Sequence, residues 1–81
     1  MARTGFWFQM ARGQAMIRNR SMRQARSIKR TLIAGAWGHG TPLRPNDTRT
    51  LELSLTSNVK RARSAHKQWR EYRALHLQFE R

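Results

Sequence analysis

Nine residues in this chain have the type and spacing to grip a polyanion: Arg12, Arg20, Arg23, Arg26 and Arg30, then Lys60, Arg63, Lys67 and Arg70. At 100° per residue Arg12, Arg23 and Arg30 fall within a narrow arc, flanked by Arg20 and Arg26. Lys60, Arg63, Lys67 and Arg70 share one side in the same way. The guanidinium group presents a planar fork that holds phosphate in two places and stacks on rings, which lysine cannot do. Of the 17 basic residues, 14 are arginine. Asp47 is the first acid, so nine bases precede any carboxylate and the chain carries a net charge of +13. Charge of one sign strains a compact state unless a partner neutralises it. Solvated helix faces interleave both signs, whereas this pattern does not. The chemistry implied is phosphate binding, which positions a protein without reading base sequence.

Two aromatic residues, Trp37 and His39, lie among glycines and are candidates for stacking on an unpaired base. The alternative for Trp37 is packing against Leu32 and Ile33, and it is favoured. Gly35, Gly38, Gly40 and Thr41 only superficially suggest a phosphate-cradling loop, since no lysine precedes Thr41. His39, His66 and His76 lack paired metal-ligand spacing, and there is no cysteine. Four carboxylates dispersed among 17 bases are pulled towards lower pKa, the wrong direction for a general acid. The reading is of a chain with no catalytic residues, no metal and no cofactor.

These residues must be positioned by helices. From about 9 to 34, Met10, Ile17, Ala25, Ile28 and Leu32 fall on one side and the arginines opposite, predicting an amphipathic helix that Gly35 ends. From 57 to 80, Ala62, Ala65, Trp69, Tyr72, His76 and Phe79 recur in steps of three and four, a seam for packing on another helix. Ser57 or Asn58 is a plausible N-cap. Glu71 is placed to meet Lys67, and Glu80 to meet His76, one turn away. Residues 35–47, rich in glycine and proline, read as a loop of fixed bends. Residues 48–56 are ambiguous: Leu51, Leu53 and Leu55 alternate as in a strand, while Leu51, Leu55 and Val59 continue the helical seam. We favour the helix, because a lone strand needs another chain's edge. Residues 1–8 are an irregular segment whose Gly5–Phe8 cluster wedges against a helix or a neighbour.

The fold class expected is therefore mostly α: two basic amphipathic helices joined by a Gly/Pro-rich loop, one small domain over 1–81, extended rather than globular. With 81 residues and 38% apolar content, the chain has little core, and small cores are usually reinforced by disulfides, metals or assembly. Without cysteine, assembly remains, and the isolated chain is expected to melt with little cooperativity at low salt. No apolar run reaches the ~18 residues of a membrane-spanning helix. A membrane-surface role is disfavoured by the narrow apolar arc, which includes Gln14 and Ser21.

In composition the chain resembles the small basic proteins of ribosomes, with arginine-rich helices, loops and little core. This likeness is one of class and aligns no motif. It implies rRNA and neighbouring proteins of a large assembly as partners. The arginine-rich, acid-free first half also has the character of a mitochondrial presequence, so a matrix location with an uncleaved targeting signal is expected. The rival reading is a soluble accessory subunit of a mitochondrial respiratory complex or ATP synthase, docked on acidic protein or anionic lipid.

Overall fold

The computed structural model describes residues 5–80. Two long helices, α1 (Phe6–Ala34) and α2 (Pro45–Phe79), fold back on each other as an antiparallel hairpin. The molecule is a rod of 55 × 22 × 14 Å with a radius of gyration of 17.5 Å. A compact chain of this length would have about 12 Å, so the expected extended two-helix architecture is observed.

The helices begin earlier than periodicity indicated. Helix α1 starts at Phe6, which makes Phe6–Phe8 helical; the rest of the expected irregular segment, residues 1–4, lies outside the described residues. Helix α2 starts at Pro45 and takes in all of 48–56. Ser57 and Asn58 are therefore inside the helix and neither is its N-cap. Arg44 holds that place: Pro45 supplies a preset first-turn φ, and the Asp47 carboxylate accepts the Arg44 backbone N–H at 3.1 Å. Leu51 and Leu55 are half-buried while Leu53 is exposed, so the three-and-four spacing prevails over the alternation.

Only Gly35–Arg44 separates the helices, and it is tightly bent. Gly35 takes the left-handed conformation (φ 67°), and its N–H donates to the carbonyls of Thr31 and Leu32, closing α1. The strand-like pair Ala36 and Pro42 then brackets a turn. Within it Gly40 N–H donates to Trp37 C=O at 2.8 Å and Trp37 N–H donates to Thr41 C=O at 2.9 Å.

The two helices meet along seams with steps of four and three. On α1 the seam runs through Trp7, Ala11, Gln14, Arg18, Ser21, Ala25, Ile28 and Leu32. On α2 it runs through Leu51, Leu55, Asn58, Ala62, Ala65, Trp69, Tyr72 and His76. Each is buried or half-buried. A 3.5-residue repeat is the spacing of a coiled-coil interface. Among the described residues the buried set is small: Ala11, Ser21, Ala25, Asn58, Ala62 and Ala65. Small side chains let two helix backbones approach closely, yet each contributes little apolar area; the larger seam residues Trp7, Tyr72, Leu32 and Leu51 stand towards the rod's ends. Asn58 donates to Ser54 C=O at 2.9 Å, while its Oδ1 is buried without a partner.

The expected apolar stripe of α1 is corrected in part. Ala25, Ile28 and Leu32 face α2, whereas Ile17 is 42% exposed because Arg18 and Ser21 take the seam beside it. On α2, Phe79 is also outside the packed region, at 66% exposure. Gly13 sits mid-helix on the outer side, and a Cβ there would meet nothing within 4 Å. Gly13→Ala is therefore expected to raise stability by about 1 kcal/mol, read from thermal melts by circular dichroism in sulfate, which favours the compact state.

The open end of the rod is closed by aromatic rings and one carboxylate. Trp7 stacks on Tyr72 with centroids 5.9 Å apart, Phe6 meets Trp7 edge-on at 5.0 Å, and Phe8 meets His76 at 5.3 Å. The N-terminal cluster thus does wedge against a helix, the last turns of α2. No acidic residue lies in the first turn of α1, and Gly5 has no side chain to cap it. Glu80 supplies both functions from the far end of the chain. Its carboxylate accepts the N–H groups of Trp7 and Phe8, each at 3.1 Å, and contacts His76 at 3.2 Å. Gly5 leaves room for this, since a Cβ there would run into the Glu80 carboxylate.

Burial on its own would push the Glu80 pKa up, but the Trp7 N–H, the His76 contact and the Phe8 N–H outweigh it and hold the carboxyl below its usual value. A carboxyl depressed on folding stabilises above its unfolded pKa of about 4.3 and loses that contribution as pH falls through the folded value. The amide proton shifts of Trp7 and Phe8 should accordingly titrate together with a midpoint below ~4.3. In Glu80→Gln that titration should vanish.

Candidate nucleic-acid interface

The seam fixes the side to which each helical base among the described residues points. In an antiparallel pair the positions just beyond the seam fall on two broad faces. A recess lined by Phe8 and Arg12 of α1 with Trp69, Arg73 and Leu77 of α2 marks one face. A groove lined by Gly13, Ile17 and Arg20 of α1 with Arg61 of α2 marks the other.

On the first face the heptad spacing places Arg12, Arg26 and Lys29 of α1 beside Arg49, Arg63, Arg70 and Arg73 of α2, with Arg18 reaching across the seam to the same side. Eight of the 15 bases among the described residues therefore share it. The second face holds Arg20 and Arg61. Arg23, Arg30, Lys60 and Lys67 form the outer ridges, and Arg44 is on the connector. All of these ridge and face bases are exposed except Arg18, which is half-buried.

Four of the nine phosphate-binding candidates named from the sequence thus come together on one surface: Arg12, Arg26, Arg63 and Arg70. Arg23, Arg30, Lys60 and Lys67 border it, and Arg20 turns to the opposite side. Arg18, Lys29, Arg49 and Arg73 complete the basic face and were missed. Their shared signal is position relative to the seam, which cannot be placed on α1 until Gln14, Arg18 and Ser21 are recognised as part of it.

Little within the chain neutralises this face. Among the described residues no arginine or lysine forms an ion pair with a carboxylate. Glu52 shares the side by register, and Glu80 is engaged by the α1 N-terminus. The expected Lys67–Glu71 pair does not form, while the Glu80–His76 contact does.

At the centre of the face stands Trp69. The guanidinium of Arg18 lies 5.0 Å from its ring centroid and that of Arg73 5.3 Å, both within cation–π range. The His66 ring stacks beside it at 5.4 Å. Arg18 also donates to His66 Nδ1 at 3.0 Å. Arginine is always a donor, so that nitrogen carries the lone pair and the proton sits on Nε2. Trp37 and His39 lie at the opposite end of the rod. Trp37 is half-buried, and His39 is exposed with its Nδ1 2.9 Å from Thr41 Oγ1.

This geometry defines a class: an antiparallel helical hairpin with an arginine-rich face centred on an indole. No family model, curated protein or solved structure gives a significant match to the chain. No helix among the described residues is long and apolar enough to cross a membrane.

Proposed function

We propose that this chain is a structural, RNA-bracing subunit of a ribosome, with the mitochondrial ribosome as its setting. The observation that carries the reading is the gathering of eight bases on one face of a rod, with no ion pair to neutralise them among the described residues. Structured RNA offers phosphates along a shape rather than a sequence, and a rigid row of guanidinium groups is suited to bridge them. Arg12, Arg26, Arg63 and Arg70 hold phosphates along the face. Arg23, Arg30, Lys60 and Lys67 extend the contact over the ridges.

Two further features support assembly within a larger particle. Met16, Leu53 and Phe79 are each at least 65% exposed, apolar side chains that a neighbouring protein can cover. The buried set is nearly all small residues, so neighbouring RNA and protein contribute stability that the hairpin lacks. The matrix address rests on the presequence-like composition of the first half.

Nuclease treatment of the native particle tests the reading. Release of the chain together with ribosomal fragments is the expected result. Retention on an intact protein complex would overturn it in favour of an accessory subunit of a respiratory complex or ATP synthase.

A further inference from the structure

We propose that the recess lined by Phe8, Trp69, His76 and Leu77, with Arg12 and Arg73 at its rim, receives one unpaired nucleobase of the bound RNA. The inference rests on the RNA-binding reading above and adds a second kind of contact to it. The recess has a volume of about 260 Å³ and spans both helices. Small-molecule pockets run from roughly 300 to 1,000 Å³, so this one is sized for a single ring system. Its walls are rings: Phe8 meets His76 at 5.3 Å, and the Trp69 indole forms the other side.

The two guanidinium groups on Trp69 are not equivalent. Arg18 is half-buried and held by its bond to His66 Nδ1 at 3.0 Å. Arg73 is exposed, and among the described residues its side chain has neither a hydrogen-bond acceptor nor a carboxylate, only the ring at 5.3 Å. It is the exchangeable cover. A base entering the recess takes the place of the Arg73 guanidinium on the indole, and Arg73 moves to the nucleotide's phosphate, with Arg12 across the rim. Base–aromatic stacking depends on the π face that every base has, so the site accepts any base that is unpaired. Phosphate contacts position the chain without touching a base, so a ring brought onto Trp69 is the mark of the base site.

The test uses the full chain carrying Trp7→Phe and Trp37→Phe, which leaves Trp69 as the sole indole. Two RNA hairpins serve as probes, one fully paired and one identical but for a single bulged adenosine. The bulged hairpin is expected to quench Trp69 fluorescence and to bind about tenfold more tightly, in line with one stacked base. The paired hairpin should bind without quenching. Phe8 is 41% exposed, so Phe8→Ala should keep its helicity by circular dichroism while the bulged-to-paired affinity ratio falls to near one. Equal binding of both hairpins without quenching overturns the base site and leaves the phosphate-binding reading intact. Binding of neither hairpin overturns both.

Discussion

Replacing Arg12, Arg26, Arg63 and Arg70 together with glutamine should lower affinity for structured RNA by roughly three to four powers of ten at 50 mM salt. The figure follows from counterion release, at about 0.7 to 0.9 in log–log salt slope for each phosphate that is no longer neutralised. The slope itself should fall by about three. Glutamine is close to arginine in helix propensity, and all four side chains are exposed, so the hairpin itself should survive. The matching change on the other side, Arg20→Gln with Arg61→Gln, removes two charges that face away and should move the slope by less than one. A reduction from the second set about half that from the first, in proportion to the charges removed, would mean that the charge acts without regard to position. A free nucleic-acid condenser would behave that way, and a brace would not.

The second large effect is on the fold. Ala62→Leu and Ala65→Leu combined should abolish cooperative thermal unfolding, followed by circular dichroism in sulfate. Both alanines are 3% exposed and stand on the seam, where their small side chains let the helices approach. Overpacking a filled site costs about 1–3 kcal/mol each time, and a chain of this length is stabilised by only about 4 to 12 kcal/mol in total. A melting temperature unchanged or raised by the double substitution would show that the seam is looser than its small residues indicate.

Much of this architecture was legible in the sequence, for physical reasons that differ between the helices. On α2 the seam is written in alanine and aromatic residues, so Ala62, Ala65, Trp69, Tyr72 and His76 announce a packed stripe. On α1 three consecutive seam positions are polar: Gln14, Arg18 and Ser21 stand between Ala11 and Ala25, so a search for apolar periodicity selects Ile17 instead. Arg18 occupies a seam position because its guanidinium finds Trp69 and His66 across the interface, partners 48 or more residues distant in sequence. Such partners are invisible to local pattern.

The same limit applies at the ends. The start of α2 depends on Pro45 and Asp47, which read as loop residues because proline and aspartate are common in turns. They are equally suited to the first turn of a helix. The start of α1 depends on Glu80, which caps it from the far end of the sequence. Gly35 was readable as a stop because a left-handed residue after the last helical turn is a local requirement. For the basic face, the nine candidates were correctly outward-pointing, but which of them share a surface is a property of the pair of helices and not of either alone.

The charge distribution gives the account its most direct test. The affinity of the full chain for a structured rRNA fragment should be measured by fluorescence anisotropy between 50 and 200 mM salt, a range of the order over which such binding changes steeply. If about seven phosphates are held, the log–log slope should lie near −5. A slope between zero and −1 would contradict the claim that this hairpin is a brace for RNA.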